Sequence, residues 1–306
     1  VSGHPAGPVR VTEVAEGVHA YVQPDGGWCL NNAGVLTDGR RSVLVDTAAT
    51  EARARHLRRA ALRLAPRPPH AVVNTHFHGD HTYGNFVFPE ALTIGHEKTR
   101  TLVGAAGTHM AGLWPDVCWG DIEIAPPELT YQDRMTLHVG EAVRAELLHI
   151  GPAAHSVDDT VVWLPEQGVL FTGDLAMNGV TPFCVMGSVA GSLRALRRLR
   201  ALGPTTIVPG HGPVGGPEIL DADEAYLRWV QGLAKEGAAA GVSPLELARS
   251  TDLGPYADLL DAERLLPNLH RGYAEEQGLP EGTPLDIGAL FEEMTAYHGR
   301  PPRCLA

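Results

Sequence analysis

Three imidazoles and a carboxylate fall within six consecutive residues, His76 to His81, in the stretch Asn74-Thr75-His76-Phe77-His78-Gly79-Asp80-His81. Packing does not account for that density. Neutral imidazole and carboxylate are the ligands that zinc, iron and manganese take. The residues just before, Ala71-Val72-Val73-Asn74, read as a short buried strand. On a strand, His76 and His78 would point the same way, because the side-chain period is two. They could grip one ion. A turn at Gly79, using glycine's conformational freedom, would redirect Asp80 and His81 toward a second.

Three later residues carry weaker signals. His155 stands in a polar Ala154-His155-Ser156 loop, Asp174 follows an apolar strand, and His211 lies between two glycines. Singly, each reads as a surface, capping or turn residue. Together with the H-x-H-x-D-H stretch, they resemble the metallo-β-lactamase-fold superfamily. The resemblance implies seven ligands. His76, His78 and His155 would hold one ion, and Asp80, His81 and His211 the other. Asp174 would bridge both, with a hydroxide between them. Asp80 and Asp174 are then the expected catalytic carboxylates. Asp46, which ends its own strand, matches the family's first motif and is expected to brace the ligand loop rather than bind metal. The implied cofactor is two zinc ions, with iron or manganese offering the same ligand chemistry. Such a pair lowers the pKa of a shared water and polarises a substrate carbonyl.

Further comparison narrows the chemistry. True β-lactamases of this fold carry cysteine or serine where Asp174 stands, which argues against antibiotic hydrolysis. The acyl-homoserine lactonases carry a tyrosine shortly after that aspartate, whereas Leu175-Ala176-Met177-Asn178-Gly179 has none. The flavodiiron branch has an acidic residue in place of His78. The phrases Gly27-Trp28-Cys29, Leu113-Trp114-Pro115-Asp116-Val117 and Asn268-Leu269-His270-Arg271 are similar to bacterial aromatic polyketide cyclase/thioesterases of the fold. The expected function is therefore hydrolysis of a small or acyl-carrier-bound ester, thioester or lactone, with ring closure of a polyketide as the finer reading. A lactonase or a glyoxalase II-like thioesterase is a near alternative. A mononuclear iron enzyme resembling the persulfide dioxygenases is a more distant one, and a non-catalytic binding protein a third. Pocket walls are expected from Trp28, Asn31, Phe77, Tyr83, Asn178 and Phe183, beside the ligands. His19, His96, His109, His138 and His149 have no partner motif and read as structural or exposed.

The elements that must position these residues follow a plan that recurs. Apolar runs at residues 9–14 and 18–22 read as a hairpin, and 33–36 and 42–45 as two more strands. Thr50 reads as the cap of a helix over 51–64, stopped by Pro66-Arg67-Pro68-Pro69. A helix is expected at 97–105 and strand signals over 126–145. Strands at 145–150, 161–164 and 169–172, a helix at 188–202 and a strand at 206–208 repeat the order of strand pair, ligand loop, helix and strand. That order fits a mixed α/β, four-layer αββα sandwich over residues 1–217. Residues 218–306 read as a helical extension packed on the core, part of which would shape the pocket. Its expected helices are 221–235, one opened by Ser243-Pro244, 259–278 interrupted by Pro267, and 291–297.

Composition excludes other classes. The chain has 306 residues, 44% of them hydrophobic and 20% charged, with a net charge of −12. An acidic chain repels phosphate backbones, so no nucleic-acid partner is expected. No apolar run is long enough to span a bilayer, so no membrane partner is expected either. Residues 1–8 lack the basic start and apolar core of a signal peptide. The four cysteines form no CxxC pair, and a reducing, cytoplasmic location is expected. Oligomeric state leaves no mark in the sequence.

Overall fold

The computed structural model describes residues 7–306. The reading of residues 1–8 as no leader lies, but for its last two positions, outside the described residues. The chain opens with the expected hairpin, β1 (Arg10–Ala15) and β2 (Val18–Val22), followed by the antiparallel pair β3 (Ala33–Thr37) and β4 (Ser42–Val45). Helix α1 (Glu51–Leu64) is capped by the Thr50 hydroxyl and buries Ala54, Leu57, Ala60 and Ala61. It returns the chain to β5 (Ala71–Val73), parallel to β4. A single turn of helix, α2 (Gly79–Thr82), precedes β6 (Leu92–His96), α3 (Glu97–Ala106), α4 (His109–Leu113) and β7 (Leu129–Tyr131).

Strand β6 and helix α4 add to the elements expected from the sequence. β6 is five residues long, contains Gly95 and runs straight into α3, so its alternation is too short to register. Parallel pairing to β5 on one side and β7 on the other holds it in place.

The second half repeats the plan with β8 (Arg134–Val139), β9 (Val143–His149), β10 (Thr160–Leu164) and β11 (Val169–Phe171), joined antiparallel in that order. Helix α5 (Val189–Ala201), capped by Ser188, leads to β12 (Thr206–Val208), parallel to β11. The strand orders are β1-β2-β3-β4-β5-β6-β7 and β12-β11-β10-β9-β8. Between the two sheets Leu36, Val43, Val73 and Ile94 join Leu147, Val162, Leu164 and Val208 in one apolar cluster. Outside the first sheet lies α1, with Leu57 and Ala61 against Val35, Leu44 and Val72. Outside the second sheet, Leu193 and Leu196 of α5 cover Val161, Leu170 and Ile207. The four layers are the expected αββα sandwich.

Residues beyond β12 form α6 (Glu218–Ala240), α7 (Pro244–Ser250), α8 (Leu265–Glu276) and α9 (Ile287–His298). α6 outruns its expected span at both ends and stops at Gly241, whose φ of +68° suits a left-handed cap. Pro267 does not interrupt α8. It is the helix's third residue, where a backbone N–H has no intrahelical acceptor to lose. Tyr226 and Val230 of α6, Leu266 and Leu269 of α8, and Leu290 of α9 belong to the same cluster as α5. The helical region thus continues the interior of the sandwich.

Candidate metal centre

The ligand candidates sit on loops and single helical turns at one edge of the sandwich. β4, β5, β11 and β12 run in parallel pairs, so their carboxyl ends open together, as ligand sites in α/β sheets do. Asp46 follows β4, residues 74–81 follow β5, Asp174 follows β11 and His211 follows β12. The loop between β9 and β10 adds His155.

Two local expectations need correcting. β5 ends at Val73, so His76 and His78 lie in a loop and no strand period aligns them. The loop itself brings them together, with His76 Nε2 3.1 Å from His78 Nδ1. Gly79 is not a left-handed turn. It opens α2, and a Cβ there would stand inside the Tyr83 ring. Glycine is required at that position for space.

The ligand atoms form two adjoining groups, His76, His78, His155 and Asp174 in one and Asp80, His81 and His211 in the other, each within 4.8 Å. Asp174 touches both. Its Oδ2 lies 3.9 Å from His76 Nε2, 3.5 Å from His155 Nε2 and 3.5 Å from His211 Nε2, and its Oδ1 lies 3.1 Å from His81 Nε2. Asp80 Oδ2 is 3.3 Å from His211 Nε2. Four of the five imidazoles fasten Nδ1 outward. His81 meets Asp46 Oδ2 at 2.8 Å, His211 the Gly26 carbonyl at 2.9 Å, His155 the Phe183 carbonyl at 2.5 Å and His76 the Thr75 hydroxyl at 3.0 Å. Their Nε2 atoms are left to face the cluster. His78 is reversed, presenting Nδ1 inward and lying 3.1 Å from Met186 Sδ through Nε2.

This arrangement fits cations. Buried polar atoms almost always have hydrogen-bond partners, yet His81 Nε2 and Asp174 Oδ1 have none, although they face each other. A cation is the group that satisfies both lone pairs. Backbone clearance points the same way. A Cβ on Gly210 would overlap Asp174 Oδ1, so the His211 loop can pass only as glycine.

The electrostatics sort the cluster. Burial holds His76 and His155 below the ordinary imidazole value and His78 at about 3. Burial opposes protonation of His211 too, but the Asp174 and Asp80 carboxylates raise it to about 9. Burial disfavours the Asp80 carboxylate, yet His81 and His211 draw it down to about 2. Against its burial, Asp174 and Asp80 likewise raise His81 well above the ordinary imidazole value. The carboxylates therefore stay ionised and His76, His78 and His155 neutral, while His81 and His211 hold protons that a bound cation would displace.

Asp46 stands outside the cluster and ties it together. Its Oδ1 accepts from the Thr75 backbone N–H and its Oδ2 from the Thr75 hydroxyl, each at 2.7 Å. Asp158 and Asp159 are both buried and hold the turn after His155 through the Ser156 hydroxyl. Asn31 and Asn178 are not on the cavity wall. The Asn31 amide donates to the Thr47 and Asn32 carbonyls, and that of Asn178 to the Pro213 carbonyl. The neighbouring Asn32, which the sequence did not single out, clamps the His211 loop through the carbonyls of Pro209 and Gly212.

A cavity of about 320 Å³ opens over the cluster, with His78, Asp80, His155, Asp174 and His211 on its surface. Trp28, Phe77, Tyr83 and Phe183 line it. So do Trp114, which one of the quoted phrases contains, Arg264 and Phe291, which no motif marked, and the exposed His109, which reads from sequence as structural or exposed. The three scattered phrases converge here. Trp28 packs on Trp114 at 5.4 Å between ring centroids, while Asn268 and Arg271 hold the Pro182 and Val185 carbonyls on either side of Phe183.

A model of the Metallo-beta-lactamase superfamily matches residues 26–211, over half of the chain. The chain belongs to this superfamily. It is 22% identical over 228 residues to the "Metallo-beta-lactamase type 2" of Bacteroides fragilis, covering 70% of this chain and 83% of that protein. It is 28% identical over 209 residues to the "Hydroxyacylglutathione hydrolase" of Methylococcus capsulatus, covering 65% and 73%. The chain spans 48% of the length of two other curated relatives. Among solved structures, the metallo-beta-lactamase from Pontibacter korlensis aligns with a TM-score of 0.61 at 20% identity, over 72% of this chain and 99% of that one. In this superfamily member the matched segment ends at the last ligand candidate, and the helices from α6 onward lie beyond it. Among the described residues no helix is long and apolar enough to cross a membrane.

Proposed function

We propose that this superfamily member is a dinuclear metal-dependent hydrolase of an ester, thioester or lactone, with zinc as the metal. The observation that carries the reading is Asp174, whose two oxygens reach both groups of ligand atoms. His76, His78 and His155 would hold the first ion, Asp80, His81 and His211 the second, and Asp174 both. The ions would supply an activated water and a polarised carbonyl. The chain does the rest. The Gly26, Phe183 and Asp46 acceptors fix the tautomers of three imidazoles by holding Nδ1. Asp80, ionised and on the cavity surface, would orient the attacking water by accepting its hydrogen bond. The aromatic wall excludes bulk water and holds the acyl group against the cluster.

The finer reading is a cyclase/thioesterase acting on a carrier-bound polyketide, the branch resembled by the phrases that meet around Trp28 and Trp114. The likeness to hydroxyacylglutathione hydrolase supports thioester chemistry. Metal content of the protein purified without added metal tests the primary reading, beside the Asp174→Ala variant. About two zinc ions per chain, falling in the variant together with thioester cleavage, are expected. One iron per chain, with oxygen uptake and no hydrolysis, overturns it. Inertness toward carrier-bound β-polyketone mimics removes the polyketide reading alone.

A further inference from the structure

We propose that the cavity above the metal cluster is a pocket for a neutral aryl or arylalkyl acyl group, and that α9, outside the superfamily's matched segment, sets this specificity through Phe291. The inference rests on the hydrolase reading and names the class of substrate for that site.

The wall opposite the ligands is aromatic and is built from four distant parts of the chain. Trp28 comes from the loop after β2, Trp114 from the end of α4, Phe183 from the loop before α5 and Phe291 from α9. The rings are in mutual contact. Trp28 lies 5.2 Å from Phe183 and 5.6 Å from Phe291, and Trp114 meets Phe291 edge-on at 5.3 Å. Offset and edge contacts are the geometry that aromatic pairs prefer, so a ring entering the cavity finds faces and edges to pack against. Met110, Leu113, Met186 and Ile287 complete an apolar lining.

Charge argues for a neutral occupant. Among the described lining residues no lysine occurs, and Arg264 is the one guanidinium. Arg264 is already engaged. It is 2% exposed, pairs with Asp261 at 2.9 Å, donates to the Thr181 carbonyl at 3.0 Å and lies over the Trp28 ring at 4.0 Å. The remaining basic groups of the lining are imidazoles, His78, His155 and His211 in the ligand cluster and the exposed His109, so a substrate carboxylate would find no free lysine or arginine there. Volume sets the size. About 320 Å³ lies near the lower end of the ~300–1,000 Å³ typical of small-molecule pockets. It admits a one- or two-ring acyl group and leaves any thiol carrier outside. In the reaction water adds to the acyl carbonyl and the C–S or C–O bond breaks. The thiol or alcohol leaves with one proton, and the other proton goes to solvent as the acid forms.

Binding is read separately from turnover. The whole protein is titrated with N-phenyl-1-naphthylamine, a neutral fluorescent arene, as wild type and as Phe291→Ala, Phe291→Leu and Asp174→Ala. Saturable binding in wild type and Asp174→Ala, at least about tenfold weaker in Phe291→Ala and largely restored in Phe291→Leu, is expected. Circular dichroism confirms that each variant is folded. In parallel, kcat/KM is compared for phenylacetyl, acetyl and succinyl thioesters of N-acetylcysteamine. Phenylacetyl should exceed acetyl by at least about tenfold, and Phe291→Ala should bring the ratio toward one by lowering kcat/KM for phenylacetyl far more than for acetyl. Absent probe binding, binding indifferent to Phe291→Ala, or preference for the succinyl thioester overturns the proposal. Probe binding of the expected pattern with no thioester or ester turned over upholds the pocket and sinks the hydrolase reading instead.

Discussion

At the scale of single residues, Asp46 is no ligand candidate itself, yet it holds His81 and the backbone that leads into His76. Its carboxylate joins Thr75, just before the first histidine, to His81. Asp46→Asn leaves one oxygen and loses the anion that orients His81 Nδ1. Metal affinity, read by competition with a chromogenic chelator, should fall about 10–100-fold. Unchanged affinity would reduce Asp46 to a strand terminator. Density marked His76, His78, Asp80 and His81 in the sequence, because clustered imidazole and carboxylate have few other uses, whereas His155, Asp174 and His211 became candidates only through the resemblance to the superfamily. The sequence misread Asn31, Asn178 and Gly79, where the outcome depends on which way a loop turns. Asn31 and Asn178 face backbone carbonyls, and Gly79 makes room for a ring. Neither fact has a local signature.

Between elements, the clearest coupling is α6 against the loop after Asp174. Asp223 is buried on α6 and accepts the Met177 backbone N–H at 2.9 Å. Burial, opposed by that hydrogen bond, holds its carboxyl well above the ordinary range. The folded chain therefore keeps a proton that the unfolded chain releases. The associated stability is fully present in acid and is lost as pH rises past the unfolded value of about 4. Asp223→Asn keeps an acceptor for Met177 and removes the titration. Its gain in Tm over wild type should be larger at pH 8 than at pH 5 by scanning calorimetry. Equal gains at both would mean that the group does not titrate in the fold. Regular elements were legible where a cap was strong, as at Thr50 and Ser243. They were not where a strand was short and flanked by a helix, as at β6, or where a proline fell in a helix's first turn, as at Pro267.

For the molecule as a whole, the ligand loops come from both sheets, so bound metal would cross-link the halves of the sandwich. Stripping it with a chelator should lower Tm, since a ligand of the folded state alone adds about 4 kcal/mol at 1,000 times its Kd. A Tm unmoved by chelation and by restored zinc would mean that the site contributes nothing to folding. Fold class was readable from the order of elements, because the plan occurs twice. Of the cavity's far wall Trp28 and Phe183 were expected, but Phe291 was not, because only tertiary packing brings it against Trp28. That wall bears on how the protein can be recombined. Trp28 Nε1 donates to Glu263 at 2.9 Å, and the Arg264 guanidinium lies over its ring at 4.0 Å. A chimera that kept the sandwich and borrowed its last helices from a relative would keep the seven ligand candidates and three of the four wall rings, but would lose Phe291 and both groups that seat Trp28.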